Sequence, residues 1–321
     1  MEKYYITTPI YYVNDKPHIG HAYTTILADT ISRFRALIGE KPTLLTGLDE
    51  HGLKVQQAAE KNGNTPQDHC DLMAPAFIDL WKKLNINYSD FIRTTEHRHT
   101  KIVQQILTKV HESGDIYMDD YEGWYSISEE RFITEKELDS GQFGEVKQIK
   151  EKNYFFRMSK YQATLIDKIE KDELLIQPKS RKNEVLGFLK NELSDLCISR
   201  PKSRLEWGIE LPFDDNYVTY VWFDALINYI SAIGAYSNDE HFSSLWPADV
   251  HLIGKDILTT HSVYWPTMLL SLGLPLPQRI FAHGWWLTDD QKMSKSLGNV
   301  VSPLMLIDDF GVDSVRYYLM S

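Results

Sequence analysis

Hydrophobic residues along the first hundred positions follow two spacings in turn. Short β-branched and aromatic runs predict strands at residues 4–8 and 43–48. Apolar residues three and four positions apart predict helices at residues 19–38, 72–84 and 102–110. Strands that alternate with helices in this way are typical of a parallel sheet covered by helices.

The pattern changes between residues 114 and 212. Residues 115–128 are rich in Tyr, Asp and Gly, and helical spacing returns only at residues 161–169 and 183–196. Later segments resemble the first ones: strands are predicted at 217–223, 250–253 and 279–282, and a helix at 261–272. An insertion therefore separates two halves of one sheet.

These patterns predict an α/β fold, a Rossmann-like parallel sheet with helices on both faces, split by an inserted α+β connective domain. The first half of the nucleotide-binding domain is placed at residues 1–113, the insertion at 114–212, the second half at 213–300 and a terminal segment at 301–321. The terminal segment ends in an apolar run with no polar tail. We therefore expect the natural chain to continue beyond it.

The composition is that of a soluble protein, with 43% hydrophobic and 25% charged residues. No apolar stretch reaches the roughly 18 residues that a membrane helix needs, and the first residues do not form a basic, apolar leader. We expect a cytoplasmic protein with no membrane partner. Cys70 and Cys197 lack CxxC spacing, which predicts two reduced thiols and no cysteine metal cluster.

The formal net charge of -11 argues against a surface built throughout to hold nucleic acid. A local basic stretch runs from residue 179 to 182 and continues at Lys190, Arg200, Lys202 and Arg204. It could contact RNA, or it could be a solvated face.

The string HIGH at residues 18–21 follows the first predicted strand and begins the first predicted helix. This placement directs His18, His21 and several backbone N–H groups beyond the carboxyl end of the sheet, where anions bind. Gly20 would let a base or phosphate approach the backbone. Two ordinary helix-capping histidines are the alternative.

A second string, KMSKS at residues 292–296, lies in a polar, turn-prone segment. Lys292 and Lys295 would form a mobile cationic clamp for a triphosphate, although a solvated loop has the same composition. The two strings lie about 270 residues apart, on opposite halves of the predicted sheet. Their joint occurrence by chance is very improbable.

With these strings the chain resembles the class I aminoacyl-tRNA synthetases, and other stretches resemble the methionyl-tRNA synthetases of bacteria and mitochondria. Those stretches are TTPIYYVN (7–14), GLDEHG (47–52), YFFR (154–157), VWFDA (221–225) and IGKDI (253–257). The resemblance covers essentially the whole chain. It implies a catalytic core that activates L-methionine with ATP to methionyl-adenylate and transfers the methionyl group to the 3' end of tRNA(Met), releasing AMP and diphosphate.

The resemblance also implies a methionine site. Its residues are Ile10, Tyr12, Asp49, Trp222, Ala225, Leu226, Tyr229, Ile257 and His261. Asp49 would accept the ammonium group, while Tyr12 and His261 are the candidate donors to sulfur. An apolar pocket with aromatic edges suits a polarisable thioether, although each aromatic residue alone could equally be core packing.

For ATP, the resemblance implies eight binding residues and Mg²⁺ on the diphosphate. They are His18, Gly20, His21, Gly254, Asp256, His283, Trp286 and Lys295, with Asp256 on the ribose and the backbone near Trp286 on adenine. The catalytic residues would be His18, His21, Lys292 and Lys295. The methionine carboxylate is already ionised at neutral pH, so it attacks the α-phosphate without a general base, and stabilising phosphate charge is the main task.

The chain departs from the family pattern in two places. Many methionyl-tRNA synthetases have cysteine zinc knuckles in the insertion, but here no Cys lies between Cys70 and Cys197, so no zinc is expected. Packing would then hold the insertion, through Trp124, Tyr125, Phe132, Tyr154 and Phe155. The helical domain that reads the anticodon in the family is absent, so residues 301–321 would only begin the stem-contact region and charging of tRNA would be poor.

Arg200 matches a family residue where the insertion meets the active site, although a plain surface arginine is an alternative. Rival functions remain open at this point. Another class I synthetase would need a zinc-binding cysteine or a larger editing insertion. A small nucleotidyltransferase would lack the insertion and KMSKS. A catalytically silent paralogue would have no need to keep both histidines and both lysines.

Overall fold

The computed structural model describes residues 2–126, 131–133, 138, 145–288, 291–292 and 301–321. Fifteen strands lie within these ranges: β1 Lys3–Tyr12, β2 Lys41–Asp49, β3 Asp90–Arg93, β4 Ile116–Ser126, β5 Arg131–Ile133, β6 Val146–Phe156, β7 Leu175–Gln177, β8 Leu196–Cys197, β9 Ser199–Pro201, β10 Glu210–Leu211, β11 Asp214–Thr219, β12 Val250–Gly254, β13 Arg279–His283, β14 Leu287–Thr288 and β15 Gln291–Lys292.

The helices of the described ranges are α1 Ile19–Leu37, α2 Leu53–Lys61, α3 Pro66–Lys83, α4 His97–Glu112, α5 Gln162–Glu170, α6 Lys179–Phe188, α7 Val221–Leu226, α8 Asn228–Ser231, α9 Asp239–Leu245, α10 Trp265–Leu272, α11 Pro303–Phe310 and α12 Val312–Met320. Short 3-10 turns occur at Met158–Tyr161 and Lys255–Ile257. A π-helical turn at Thr260–Tyr264 precedes α10.

A six-stranded parallel sheet forms the centre of the molecule, in the order β3-β2-β1-β12-β13-β7. Successive side chains of a strand point to opposite faces. In β1, Tyr4 and Ile6 accordingly pack into one hydrophobic core with α1 and α3, while Tyr5 packs into the other with α4 and α10. Both faces of the sheet are thus covered, and the predicted α/β fold is confirmed.

The predicted insertion at residues 114–212 includes one strand of the main sheet. β7 pairs in parallel with β13, with Ile176 opposite Ile280, and α5 and α6 pack in the same core as α10. Only β4, β5, β6 and β8 form a separate antiparallel sheet, and β9, β10 and β11 form a small third one. Between β6 and β8 of the first antiparallel sheet, the chain of the insertion therefore returns to the main sheet through β7.

Another prediction fails at residues 217–223, where one strand was expected. β11 ends at Thr219 and α7 begins at Val221. A short run of aromatic and β-branched residues does not distinguish a buried helix from a strand by periodicity, which explains the error.

Aromatic packing in the insertion agrees in part with the prediction. Tyr154 and Phe155 are buried, and the Tyr154 ring lies 5.1 Å from the ring of Phe213 and 5.4 Å from that of Tyr217. The side chains of Tyr125 and Phe132 lie outside the described part of the chain. In the ranges that the structure describes, no helix is both long and apolar enough to cross a membrane.

Candidate active site

The crevice between β1 and β12 is the topological switch point of the main sheet. From β1 the strand order runs outward through β2 and β3, and from β12 it runs the other way through β13 and β7. Ligands of open parallel sheets bind beyond the carboxyl ends of the strands at such a point. His18 and His21 follow β1, Gly254 ends β12 and His283 ends β13, so four of the predicted ATP residues meet at this crevice.

His18 and His21 form a reciprocal capping box at the start of α1. The Gly20 N–H donates to His18 Nδ1 at 3.1 Å, and the His18 N–H donates to His21 Nδ1 at 3.2 Å. The two rings stack with centroids 3.7 Å apart. Because each Nδ1 accepts a hydrogen bond, the proton of each neutral ring lies on Nε2. The predicted alternatives are therefore compatible: the same two histidines cap the helix and lie beyond the carboxyl end of β1, where anions bind.

The position of the His18 ring requires a residue without a side chain at position 20. A Cβ added at Gly20 would lie 2.9 Å from His18 Cε1 and 3.1 Å from His18 Nδ1. The ring of His18 would have to move, and the capping geometry would move with it. Gly254 has a similar constraint, since an added Cβ would lie 2.6 Å from Asp256 Oδ1.

The KMSKS string lies mostly outside the described residues, including Lys295. Lys292 ends β15, whose backbone pairs with β14, and its side chain is also outside the described part. The first described residue after the string, Val301, accepts the backbone N–H of Ile19 at 3.3 Å. The chain on the carboxyl side of the string is thereby attached to the first turn of α1, beside His18.

His283 and Trp286 form the β13 side of the crevice. His283 Nδ1 lies 2.7 Å from the Gly284 carbonyl oxygen, and Nε2 lies 2.7 Å from Thr24 Oγ1 on α1. Burial lowers the pKa of His283, so the ring is neutral at physiological pH. Tyr23 contacts both aromatic partners, with centroids 4.9 Å from His283 and 5.5 Å from Trp286.

Asp256 lies one turn beyond β12. Its Oδ1 accepts the indole N–H of Trp285 at 3.0 Å, and Lys255 Nζ lies 3.8 Å from the centroid of the same indole. Asp256 is thus held beside Trp285, and its contact with ribose stays a prediction.

Five of the predicted methionine residues belong to the hydrophobic core on the α4 and α10 face of the main sheet: Ile10, Trp222, Leu226, Tyr229 and Ile257. Ala225 is also buried, at 5% exposure. Tyr12 packs against Leu205 of the insertion and Tyr220 of the second half, and it lies opposite Asp49 in the β1–β2 register.

His261 is committed to hydrogen bonds within the protein. Its Nδ1 lies 2.9 Å from the Ile257 carbonyl oxygen and therefore donates, and its Nε2 accepts from the Tyr229 hydroxyl at 2.7 Å. Burial lowers the pKa of His261 to about 4. The predicted donation from His261 to a methionine sulfur is not available in this arrangement, which leaves Tyr12 as the predicted donor. The π-helical turn Thr260–Tyr264 holds His261 in this position.

Two functional features were missed by the sequence analysis. His51, His99 and Asp224 form a buried cluster behind the methionine residues, and neutral His251 lies under Tyr229, with ring centroids 4.3 Å apart. The partners in the Asp224 cluster are more than a hundred residues apart in the chain, so no local spacing could have found that cluster.

Arg200 is not a plain surface arginine. It is 3% exposed, its guanidinium donates to the Ser199 carbonyl at 2.6 Å, and it lies 3.8 Å from the centroid of the Tyr220 ring. Other cations of the basic stretch pair with nearby carboxylates. The pairs are Lys182 with Asp172, Arg181 with Glu184, Lys202 with Glu210 and Arg204 with Glu151. These pairs favour a solvated face over an RNA contact.

Within the described residues, no group of three or more His, Cys, Asp or Glu side chains could hold a metal ion. The two cysteines are free, Cys70 being buried and Cys197 partly so. Burial raises the pKa of the Cys197 thiol, which keeps it protonated and unreactive.

The family model described as tRNA synthetases class I (M) matches residues 4–142 and 139–321. The chain belongs to the class I tRNA synthetases. Among curated members of this family, it is 50% identical to a methionine–tRNA ligase of Halalkalibacterium halodurans and 53% identical to one of Clostridium acetobutylicum, in each case over 99% of this chain. The chain spans half the length of these synthetases.

Solved synthetase structures show the same fold. Mycobacterium tuberculosis methionyl-tRNA synthetase in complex with methionyl-adenylate matches with a TM-score of 0.95 and 43% identity, covering 100% of this chain and 64% of that one. The apo form of the same synthetase matches with a TM-score of 0.80 and 39% identity, over 100% and 62% of the two chains. The conformation described above is therefore closer to that of the adenylate complex.

Proposed function

We propose that this chain is the catalytic part of a methionine–tRNA ligase, which activates L-methionine with ATP and transfers the methionyl group to tRNA(Met). The observation that carries the proposal is the stacked His18–His21 pair, whose Nε2 donors lie at the switch point of the sheet. Family membership and about 50% identity to methionine–tRNA ligases support the choice of substrate.

The described residues have the properties that the activation step requires. The methionine carboxylate, ionised at neutral pH, attacks the α-phosphate and expels diphosphate, so no general base is needed. His18 and His21 donate from Nε2 to phosphate oxygens on which negative charge develops. Fixed donors of this kind stabilise a transition state without reorganising during the reaction.

We assign the remaining stabilisation of phosphate charge to Lys292 and Lys295, the cationic residues of the proposed site. Mg²⁺ would neutralise charge on the departing diphosphate. Asp256 would bind the ribose, while Gly254 and the backbone near Trp286 would border the nucleoside.

Methionine recognition rests on the apolar cluster around Tyr229. Ile10, Leu226 and Ile257 provide an apolar surface, and Trp222 provides an aromatic edge, to which a thioether is attracted. The neutral His261 fixes the Tyr229 hydroxyl by accepting its hydrogen bond, and this prevents a buried unpaired donor from facing the substrate. Asp49 would bind the ammonium group.

Methionine-dependent exchange of labelled diphosphate into ATP tests the proposal. The parent should exchange with methionine and not with isoleucine, leucine or cysteine. Lys295→Ala should abolish exchange. Lys147→Ala is the control and should leave exchange unchanged, because Lys147 lies on β6 with 62% of its side chain exposed. Exchange that is absent under saturating ATP and Mg²⁺ would favour a catalytically silent paralogue. Transfer to tRNA(Met) is assayed separately.

A further inference from the structure

A buried cluster of hydrogen-bonded side chains joins the two halves of the catalytic domain. Asp224 on α7 places one carboxylate oxygen 2.6 Å from His51 Nδ1, beyond β2, and the other 2.7 Å from His99 Nε2 on α4. His99 Nδ1 lies 2.7 Å from Ser231 Oγ on α8. All four residues are at most 6% exposed.

Asp224 is ionised in this cluster. Burial alone would raise its pKa, but the two imidazoles outweigh burial through their charge and hydrogen bonds and lower the pKa to about 2. A buried carboxylate that accepts one hydrogen bond on each oxygen has a strongly fixed orientation. Ser231, His99 and Asp224 are the residue types of a hydrolase triad, yet Ser231 is 2% exposed and no substrate reaches it. The role of the cluster is therefore to fix the relative positions of the elements that carry its side chains.

The α7 end of the cluster belongs to one wall of the proposed methionine pocket. Asp224 lies two residues after Trp222 and immediately before Ala225, in a helix of six residues. Among the described residues, no side chain caps the amino end of that helix. The bonds of Asp224 to His51 and His99 attach the helix to the loop after β2 and to α4.

The other end belongs to the opposite wall. His51 lies two residues after Asp49, in a loop that is itself rigidly held. The Glu50 carboxylate accepts from Arg93 Nε at 2.7 Å, and the Gly52 N–H donates to the Trp207 carbonyl at 3.2 Å. Gly52 has φ +108°, a conformation that side chains other than glycine rarely adopt. Movement of His51 relative to Asp49 is therefore small.

We propose that Asp224, through His51 and His99, is a positioning residue that fixes α7 against the loop after β2 and so sets the width of the methionine pocket. The inference rests on the proposed function, because it assigns the two walls to methionine. It concerns the amino acid and not ATP, because none of the predicted ATP residues is among the four side chains of the cluster. Loss of the hydrogen bonds from His51 and His99 to Asp224 should weaken the binding of methionine and not that of ATP.

Asp224→Asn tests the inference in the full 321-residue chain. Asn has the same size, but its amide nitrogen cannot accept a hydrogen bond from the second imidazole. In diphosphate exchange we expect KM for methionine to rise at least tenfold, KM for ATP to change less than about twofold, and discrimination against norleucine and leucine to fall.

Asp115→Asn is the matched control for general destabilisation. Asp115 is 2% exposed and accepts hydrogen bonds from Lys160, Tyr161 and Ser271, at the base of the insertion. This variant should lower Tm as much as Asp224→Asn does and leave both KM values unchanged.

His51 provides a second pair of variants in case Asp224→Asn does not fold. His51→Ala removes the donor to Asp224, whereas the amide nitrogen of His51→Asn can occupy the place of Nδ1. His51→Ala should raise KM for methionine. His51→Asn should bring KM for methionine most of the way back to the value of the parent.

The outcomes separate the two claims. A parent that exchanges with methionine, together with Asp224 and His51 variants whose methionine KM is unchanged, overturns the inference and leaves the proposed function standing. Equal rises in KM for methionine and ATP also overturn it. A parent with no methionine-dependent exchange refutes the proposed function, and the inference with it.

Discussion

Gly20 leaves no room for a side chain beside the ring of His18. Gly20→Ala should reduce the kcat of methionine-dependent exchange about tenfold or more, because the added Cβ displaces the His18 ring from its capping position. Stability should not fall, since Ala has a higher helix propensity than Gly. Exchange kinetics and thermal unfolding measure the two effects.

Gly187→Ala is the control for this substitution. Gly187 lies within α6, and a Cβ added there would meet no atom within 4 Å. Gly187→Ala should retain full exchange activity, and its gain in helix propensity should equal that of Gly20→Ala. Normal kcat in Gly20→Ala would contradict the role assigned to the His18–His21 capping box.

His261 should make stability depend on pH. Its pKa is about 4 in the folded chain and about 6.5 when unfolded, so the unfolded chain binds more protons between these values. The stabilisation is complete above pH 6.5 and is lost as pH falls toward 4. Parent and His261→Gln should differ by about 3 kcal/mol in the stability lost over this range. Urea unfolding at pH 7 and pH 4 measures it; equal losses would show that His261 is not buried as a neutral ring.

Individual residues of the site were predicted best where the chain itself brings them together. The HIGH string could be recognised because a strand end and a helix start are adjacent in sequence. The bonds of His261 could not be predicted, since they depend on Tyr229 and on a π-helical turn that has no known spacing signal.

A buried ion pair contributes to holding the loop between β2 and α2. Glu50 has no exposed side-chain surface, and Arg93 at the end of β3 pairs with it. Burial raises the pKa of Glu50, and Arg93 opposes this rise. Arg93→Gln should cost about 3–5 kcal/mol, because it leaves a buried carboxylate uncompensated.

The pH dependence and a double variant check this interpretation. A carboxyl group with a raised pKa in the folded state loses stability as pH rises, so the cost of Arg93→Gln should be larger at pH 8 than at pH 5. Adding Glu50→Gln should recover about half or more of the loss in urea unfolding. A double variant as unstable as the single one would show that Arg93 contributes by packing alone.

Among the elements, long amphipathic helices and buried strands could be predicted from the sequence, and short elements could not. The helix expected at residues 19–38 agrees closely with α1 Ile19–Leu37. β7 has only three residues and joins the main sheet through β13, a partner about a hundred residues later in the chain. Nothing local distinguishes such a strand from one that belongs to the insertion.

In the molecule as a whole, the described residues 118–120 of the β4–β6 hairpin lie outside the main hydrophobic core. Ile116 and Phe156, at its base, belong to the main core, whereas residues 118–120 are exposed. Replacing residues 122–150 with Asn-Gly, between the paired Tyr121 and Glu151, should give a two-residue hairpin turn. Exchange should remain within about threefold of the parent, and Tm within a few degrees. Loss of cooperative unfolding would show that the outer hairpin is part of the core.

The most direct test of the account is a titration of active sites by adenylate formation. Chain, methionine and labelled ATP are mixed with pyrophosphatase, and methionyl-adenylate is quantified by mass spectrometry. We predict a burst that approaches one methionyl-adenylate per chain, absent with leucine and strongly reduced in a His18→Ala, His21→Ala variant. ATP consumption without methionyl-adenylate, or an equal burst with leucine, would contradict the claim that this chain activates methionine.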